Sequence, residues 1–145
     1  LERSVVLAAS KQAREQFDVE NDPALVLAGV GWHLGVLGIV AGRIAEKFHR
    51  PTVILSIDNI QRKPATGSAR SAGMVDLHAA LQACSEHLVS CGGHAAAAGL
   101  RIDDANIDRF RQAFFDVVSE HMGGKPEAPE LMVDVQTNLA QLDLS

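Results

Sequence analysis

Ala24-Leu25-Val26-Leu27-Ala28-Gly29-Val30 is a continuous apolar run, and Thr52-Val53-Ile54-Leu55-Ser56-Ile57 is a second one rich in β-branched residues. Short runs of this kind read as strands buried on both faces. Between them stand Gly31-Trp32-His33 and a segment from Val36 in which Leu37, Val40, Ile44 and Phe48 recur at three- and four-residue steps, closed by His49-Arg50-Pro51. That spacing predicts a helix, and basic residues followed by proline predict its end. Strand, helix and strand in immediate succession form a βαβ unit, for which a right-handed crossover is expected.

Upstream, residues 1–17 repeat Val5, Val6, Ala9, Ala13 and Phe17 at helical steps until Asn21-Asp22-Pro23 breaks the pattern. The repeat begins without a capping residue, as the end of a longer helix would. Downstream, residues 58–67 are polar and predict an exposed hairpin or loop, and residues 66–71 a short strand of small and polar side chains. Asp76 is placed to cap a helix with the stripe Leu77, Leu81, Cys84 and Leu88, and Cys91-Gly92-Gly93 to end that segment. Residues 95–102 form a strand of small residues. Asp103-Asp104 open a last helix with Ile107, Phe110, Phe114, Val117 and Val118 inward, stopped by Gly123-Gly124. Beyond Pro126 and Pro129, residues 131–135 resemble a strand leading elsewhere. The sum is an α/β fold, a mixed and mostly parallel sheet with helices packed on its faces.

A chain of 145 residues, 47% of them hydrophobic, is long enough for one sizeable core. No apolar run approaches membrane-spanning length, and no signal-like segment opens the chain, so a cytoplasmic protein is expected. Cys84 and Cys91 imply neither a disulfide framework nor a zinc site, and Cys84 reads as a small buried hydrophobe. The net charge of −5 is unevenly spread. Residues 29–101 carry seven basic and four acidic side chains, a balance of +3, and the rest of the chain carries −8. Every motif lies in the mildly basic stretch, so acidity of the whole does not exclude a phosphate-bearing ligand.

Three motifs carry chemistry. Gly31-Trp32-His33-Leu34-Gly35-Val36-Leu37-Gly38 stands where a strand meets a helix N-terminus. Free N–H groups and the helix dipole favour an anion there, and His33 can donate to a phosphate oxygen; equally, the glycines can serve packing and His33 can cap. In Gly67-Ser68-Ala69-Arg70-Ser71, Ser68 and Arg70 share one face of an extended segment, where hydroxyl and guanidinium can converge on one phosphate, or remain solvated. In Gly92-Gly93-His94-Ala95-Ala96-Ala97-Ala98-Gly99, two glycines expose main-chain N–H groups beside His94, and the alanines keep bulk away from it. His49, His78, His87 and His121 fall in helical patterns and read as surface residues. No Asp-His-His motif, no His and carboxylate set at metal-ligand spacing and no Ser-His-Asp set is evident, so no catalytic residue is assigned within the chain.

With these motifs in chain order, together with Gly38-Ile39-Val40-Ala41, Arg50-Pro51-Thr52 and Asp76-Leu77 to Cys84, the sequence resembles the DHHA1 domain of RecJ-type exonucleases, within the DHH phosphoesterase family. It departs in Leu34, where proline is frequent, and in Cys91, where an aromatic residue often precedes the glycines. The resemblance implies a DHHA1 substrate-binding domain over residues 24–122. It implies that residues 1–20 end a helix joining it to an N-terminal DHH domain, and that residues 123–145 lead toward an OB-type domain. It further implies that manganese or magnesium is held by the DHH domain and none by this chain, and that the partners are that domain and the 5′ end of single-stranded DNA. Ser68, Arg70 and His94, with Gly92, Gly93 and His33 nearby, should then face the substrate phosphates. A phosphodiesterase of short oligonucleotides or cyclic dinucleotides usually has a longer glycine run before the histidine. An RNA-binding module like that ending alanyl-tRNA synthetases is disfavoured by Trp32-His33.

Overall fold

The two apolar runs pair side by side. In the computed structural model, which describes residues 2–121 except 17, 19, 20, 62 and 74, the elements run α1 (Glu2–Gln16), β1 (Leu25–Val30), α2 (Leu37–Phe48), β2 (Thr52–Ile57), β3 (Ala65–Arg70), α3 (Leu77–Ala83), β4 (Ser90–Gly93), β5 (Ala97–Ile102) and α4 (Ile107–His121). The strands form one sheet in the order β1-β2-β3-β5-β4. β1 and β2 are parallel, in register from Leu25 opposite Thr52 to Val30 opposite Ile57, with α2 between them in sequence. The α/β class and the mixed sheet are as expected.

The expected predominance of parallel pairing is not found: β2–β3, β3–β5 and β4–β5 are all antiparallel. A parallel partner requires a crossover long enough to return the chain to its starting edge. α2 supplies one between β1 and β2, whereas the seven-residue connection from β2 to β3 is too short to do so; the α3 segment returns the chain to β4 parallel to β3, but β5 inserts between them. Two boundaries also differ. α3 stops at Ala83 and continues as a 3-10 turn, Ser85–His87, leaving Leu88 half-buried beyond it. Gly92 and Gly93, expected as a terminator, belong to the edge strand β4. Glycine's low strand propensity hid it, and pairing with β5 overrides propensity there. The expected strand of residues 95–102 is trimmed to Ala97–Ile102, with residues 94–96 in the hairpin turn. The glycine stop at 123–124 and the strand at 131–135 lie outside the described residues.

β2 is covered on both sides. Leu25, Leu27 and Ile54 pack with Val5, Ala9 and Ala13 of α1 and with Leu37, Val40, Ile44 and Phe48 of α2. On the other face Val26, Val53, Leu55, Ala69, Leu100 and Ile102 pack with Leu77 and Leu81 of α3 and with Phe110, Phe114 and Val118 of α4. Cys84 lies in this second core, and burial pushes its thiol up to about 11, consistent with its reading as a small hydrophobe. Asp76 caps α3 by accepting from the Ala79 N–H at 3.1 Å. The buried Arg50 closes α2: its guanidinium donates to the carbonyls of His49 at 2.9 Å and Asp22 at 3.1 Å, while His49 adopts the left-handed conformation (φ 56°). A guanidinium at that end both satisfies carbonyls and opposes the helix dipole.

The outer edge of β1 is occupied by side chains. The Gln12 amide donates to the Ala28 carbonyl and accepts from the Ala28 N–H, both at 2.9 Å, as a neighbouring strand would. Arg111 donates to the Val26 carbonyl at 3.3 Å.

Phe110 and Phe114 stack with centroids 5.5 Å apart, and both are fully buried. Phe114→Ala should therefore lower unfolding stability by about 3–5 kcal/mol. Urea denaturation checks this: the midpoint should fall with little change in slope, and a parent-like midpoint would show that the second core does not depend on this pair.

Candidate functional site

Alternation along β3 separates two sets of side chains. Ala65, Gly67 and Ala69 are buried toward α3 and α4, and Thr66, Ser68 and Arg70 lie on the opposite face, half-buried. Ser68 stands opposite Ile54 of β2 and Gly99 of β5, and Arg70 opposite Thr52 and Ala97. Ile54 belongs to the α1–α2 core, so Ser68 and Arg70 share that side of the sheet. The one-face placement of these two residues follows from the alternation. α1 and α2 do not reach across β5 and β4: Gly92, Gly99, Arg101 and Ser90 are all exposed. A Cβ at Gly92 would meet nothing within 4 Å, and one at Gly99 only the Gly67 carbonyl at 3.8 Å. The result is an open floor of bare main chain with Arg70 at one end.

Arg70 is held rather than free to swing. Its Nη1 donates to the Ala69 carbonyl at 2.8 Å, and Nη2 lies against the first turn of α2, where a Cβ at Gly38 would stand 2.5 Å from it. Gly38 therefore does permit a close approach, but by the guanidinium of Arg70. A shallow cleft of about 380 Å³ beside it is lined by Arg70, Ser71, Ala72 and Ala96 and by Gly42, Ala45, Glu46 and His49 of the α2 segment.

His94 opens the turn between β4 and β5, exposed, with its N–H donating to the Ala97 carbonyl at 2.9 Å. The turn is tied to the far end of β3, because Ser71 N–H donates to the Ala96 carbonyl and Leu77 N–H to the Ala95 carbonyl. Gly93 is obligatory there: its φ is 136°, and a Cβ would lie 2.5 Å from Ala98 Cα. Gly92, by contrast, simply leaves space. Of the four alanines, Ala95 and Ala96 are exposed, Ala97 is half-buried and Ala98 belongs to the core. Main-chain pairing thus brings Ser68, Arg70, Gly92, Gly93 and the His94 turn to one end of the β3-β5-β4 surface.

His33 sits apart from this group, at the start of a 3-10 turn, Leu34–Val36, that leads into α2. Its Nδ1 accepts from the Gly35 N–H at 3.0 Å, so it does cap. The neutral ring then carries its proton on Nε2, which remains able to donate. The 3-10 turn also engages the Val36 N–H with the His33 carbonyl at 3.2 Å and the Leu37 N–H with the Leu34 carbonyl. These N–H groups are committed, so an anion cradle on the expected bare helix end is not formed by them. Of the remaining histidines, His49 and His78 are exposed as expected. His87 is half-buried with Nε2 3.4 Å from Glu86, and His121 has its side chain outside the described residues.

Sequence reasoning missed the role of Gly99 and Arg101 on the open face, although residues 97–102 alternate small or polar with apolar in period two. It also missed the contact of Arg70 with Gly38, for which no local pattern exists. Among the described residues, no group of three His, Cys, Asp or Glu side chains is placed to hold a metal ion. No helix there is long and apolar enough to cross a membrane.

Comparison with known proteins identifies the family to which this fold belongs. The profile of the DHHA1 domain matches residues 21–120. The chain is 33% identical over 115 residues to the single-stranded-DNA-specific exonuclease RecJ of Bacillus subtilis, covering 79% of this chain and 14% of that protein. It is 43% identical over 95 residues to RecJ of Dickeya dadantii, covering 61% and 16%. Among solved structures, exonuclease RecJ bound to manganese superposes with a TM-score of 0.67 at 29% identity, over 81% of this chain and 29% of that one. RecJ from Thermus thermophilus in complex with magnesium does so with a TM-score of 0.66 at 25% identity, over 95% and 20%. The chain spans less than a fifth of the length of those two curated relatives. On the matched profile, the shared sheet and the ordered motifs, it belongs to the DHHA1 domain family, as a relative of the RecJ exonucleases.

Proposed function

We propose that this chain is the substrate-holding part of a RecJ-like exonuclease that degrades single-stranded DNA from its 5′ end in repair and recombination, and that its phosphate contacts are Ser68, Arg70 and the Gly92-Gly93-His94 turn, with His33 at the margin. The observation that carries this reading is the open β3-β5-β4 face. A guanidinium held at a fixed place, a hydroxyl on the same face and bare main chain between them suit a phosphodiester backbone better than an apolar ligand. Two N–H groups of a planar guanidinium can engage two phosphate oxygens, and the Ser68 hydroxyl can add a third bond. His94, flanked by glycine and alanine, can approach the same chain without obstruction. The central basic balance of the sequence favours the same polyanion.

The manganese and magnesium named for the solved relatives have no set of ligands among the described residues here. In this reading they are held by an N-terminal DHH domain of the whole protein, which supplies the bond cleavage. This chain's own part is to bind and orient the strand. The RecJ relatives and the two-glycine form of the His94 turn favour a DNA exonuclease over a cyclic-dinucleotide phosphodiesterase or an RNA-binding module.

Three outcomes test this. The purified 145-residue chain, supplied with manganese, should leave labelled single-stranded DNA intact. Metal-dependent release of nucleotides by it would overturn the division of labour. In the full-length enzyme, Arg70→Ala should lower kcat/KM on 5′-phosphorylated single strands by about one to two decades, with thermal melting unchanged and Arg70→Lys recovering only part of the loss. Parent-like cleavage by a well-folded Ala variant would remove Arg70 from the site and leave His94 as the better candidate. Gly38→Ala should stabilise α2 by up to about 1 kcal/mol through helix propensity, yet weaken DNA binding by displacing the guanidinium. In an Arg70→Ala background the binding penalty of Gly38→Ala should vanish while the gain in melting temperature remains. Additive penalties in that double-mutant cycle would show that Gly38 does not act through Arg70.

A further inference from the structure

A second depression, of about 440 Å³, lies outside the carboxyl ends of β1 and β2 and is lined by Trp32, Ser56, Asp58, Lys63, Thr66 and Arg101 among others. Crevices at that end of parallel strands are where α/β sheets usually take ligands. The wall is aromatic and firmly set. The Trp32 indole fills the space above Gly29, where a Cβ would stand 2.0 Å from the ring, and Ser56 Oγ donates to the Trp32 carbonyl at 2.5 Å. The rim carries two cations, and among the described residues neither Lys63 nor Arg101 is in an ion pair. The single acid is already engaged. Asp58 accepts from the N–H groups of Gln61 at 3.1 Å and Ile60 at 3.0 Å, and these bonds, with Lys63 adding to them, hold its carboxyl below the ordinary value. Asp58 thus shapes the loop, and the groove keeps an excess of positive charge.

The groove lies on the same sheet face as the site already described. Arg101 is paired opposite Thr66 in the same ladder that sets Arg70 opposite Ala97, so Arg101 and Arg70 share the open face. A step of four strand residues separates the two positions, roughly 14 Å at the rise of an antiparallel strand, with the bare main chain of Gly99 between them.

We infer that this groove is a second nucleotide subsite, holding a phosphate of the same bound strand at Lys63 and Arg101 and its base against Trp32. The inference rests on the nucleic-acid reading above and extends it: the surface is built for a chain of several nucleotides, which a dinucleotide seated at Arg70 cannot fill.

Trp32 is the only tryptophan of the 145 residues, so its fluorescence reports on the groove directly. Oligothymidylate of about eight nucleotides should quench it, with log K falling linearly against log salt. Lys63→Ala and Arg101→Ala should each weaken the oligomer several-fold and flatten that slope by about 0.7. A 5′-phosphorylated thymidine dinucleotide, followed by equilibrium dialysis, should depend on Arg70 and be indifferent to Lys63 and Arg101. Arg70→Ala is the control that separates the two readings. Should it weaken the oligomer while the Lys63 and Arg101 variants bind like the parent, or should Trp32 emission stay constant at saturation, the groove is not a subsite and the Arg70 site stands. An oligomer that does not bind, or is indifferent to all three residues, overturns both.

Discussion

Burial of β2 on both faces is the constraint from which the rest of the structure follows. Thr52, Val53, Ile54 and Leu55 are wholly inaccessible, so the strand needs an apolar layer above it and another below. α1 and α2 provide one, α3 and α4 the other. Only the second layer extends to β5, by way of Leu100 and Ile102. The sheet is therefore three layers deep over β1 and β2 and two layers deep over β5 and β4. The uncovered face that results holds Gly92 and Gly99, with Ser68 and Arg70, half-buried beside α2, along its border. The proposed binding surface lies where helical cover stops.

Much of the architecture could be read from period alone. The βαβ unit, the Asp76 cap and the last helix rest on apolar spacing and capping chemistry, which act within a few residues. The direction of β3 and the existence of β4 could not. Pairing direction depends on connection length and on what the returning strand packs against, and a Ser-Cys-Gly-Gly strand has no intrinsic tendency to be one. Its hydrogen bonds to β5 make it a strand, and those are non-local.

The site was legible in its parts and not in its assembly. Ser68 and Arg70 two apart on an extended segment had to share a face, and this they do. That the His94 turn is tied to Ser71 could be known only from main-chain bonds between distant segments. Gly38 shows the limit most clearly. Sequence spacing identifies it as a place of close approach without saying what approaches, because the partner is thirty-two positions away in the chain. His33 caps with one ring nitrogen, which answers one of its two readings, while the other nitrogen stays able to donate.

The treatment of the sheet's borders differs from one side to the other. With Gln12 and Arg111 engaging the main chain of β1, that margin offers little template on which a foreign strand could be added. The opposite margin, β4, is four residues long and ends in two glycines, a poor nucleus for ordered stacking. One border is protected by occupied hydrogen bonds and the other by brevity and weak propensity. Resistance to aggregation at these two places consequently has different sensitivities. Loss of a single amide at Gln12 would free the main chain of Ala28 on the first, whereas the second would become adhesive only if side chains favouring extended structure replaced its glycines, the same residues that keep the proposed binding floor open.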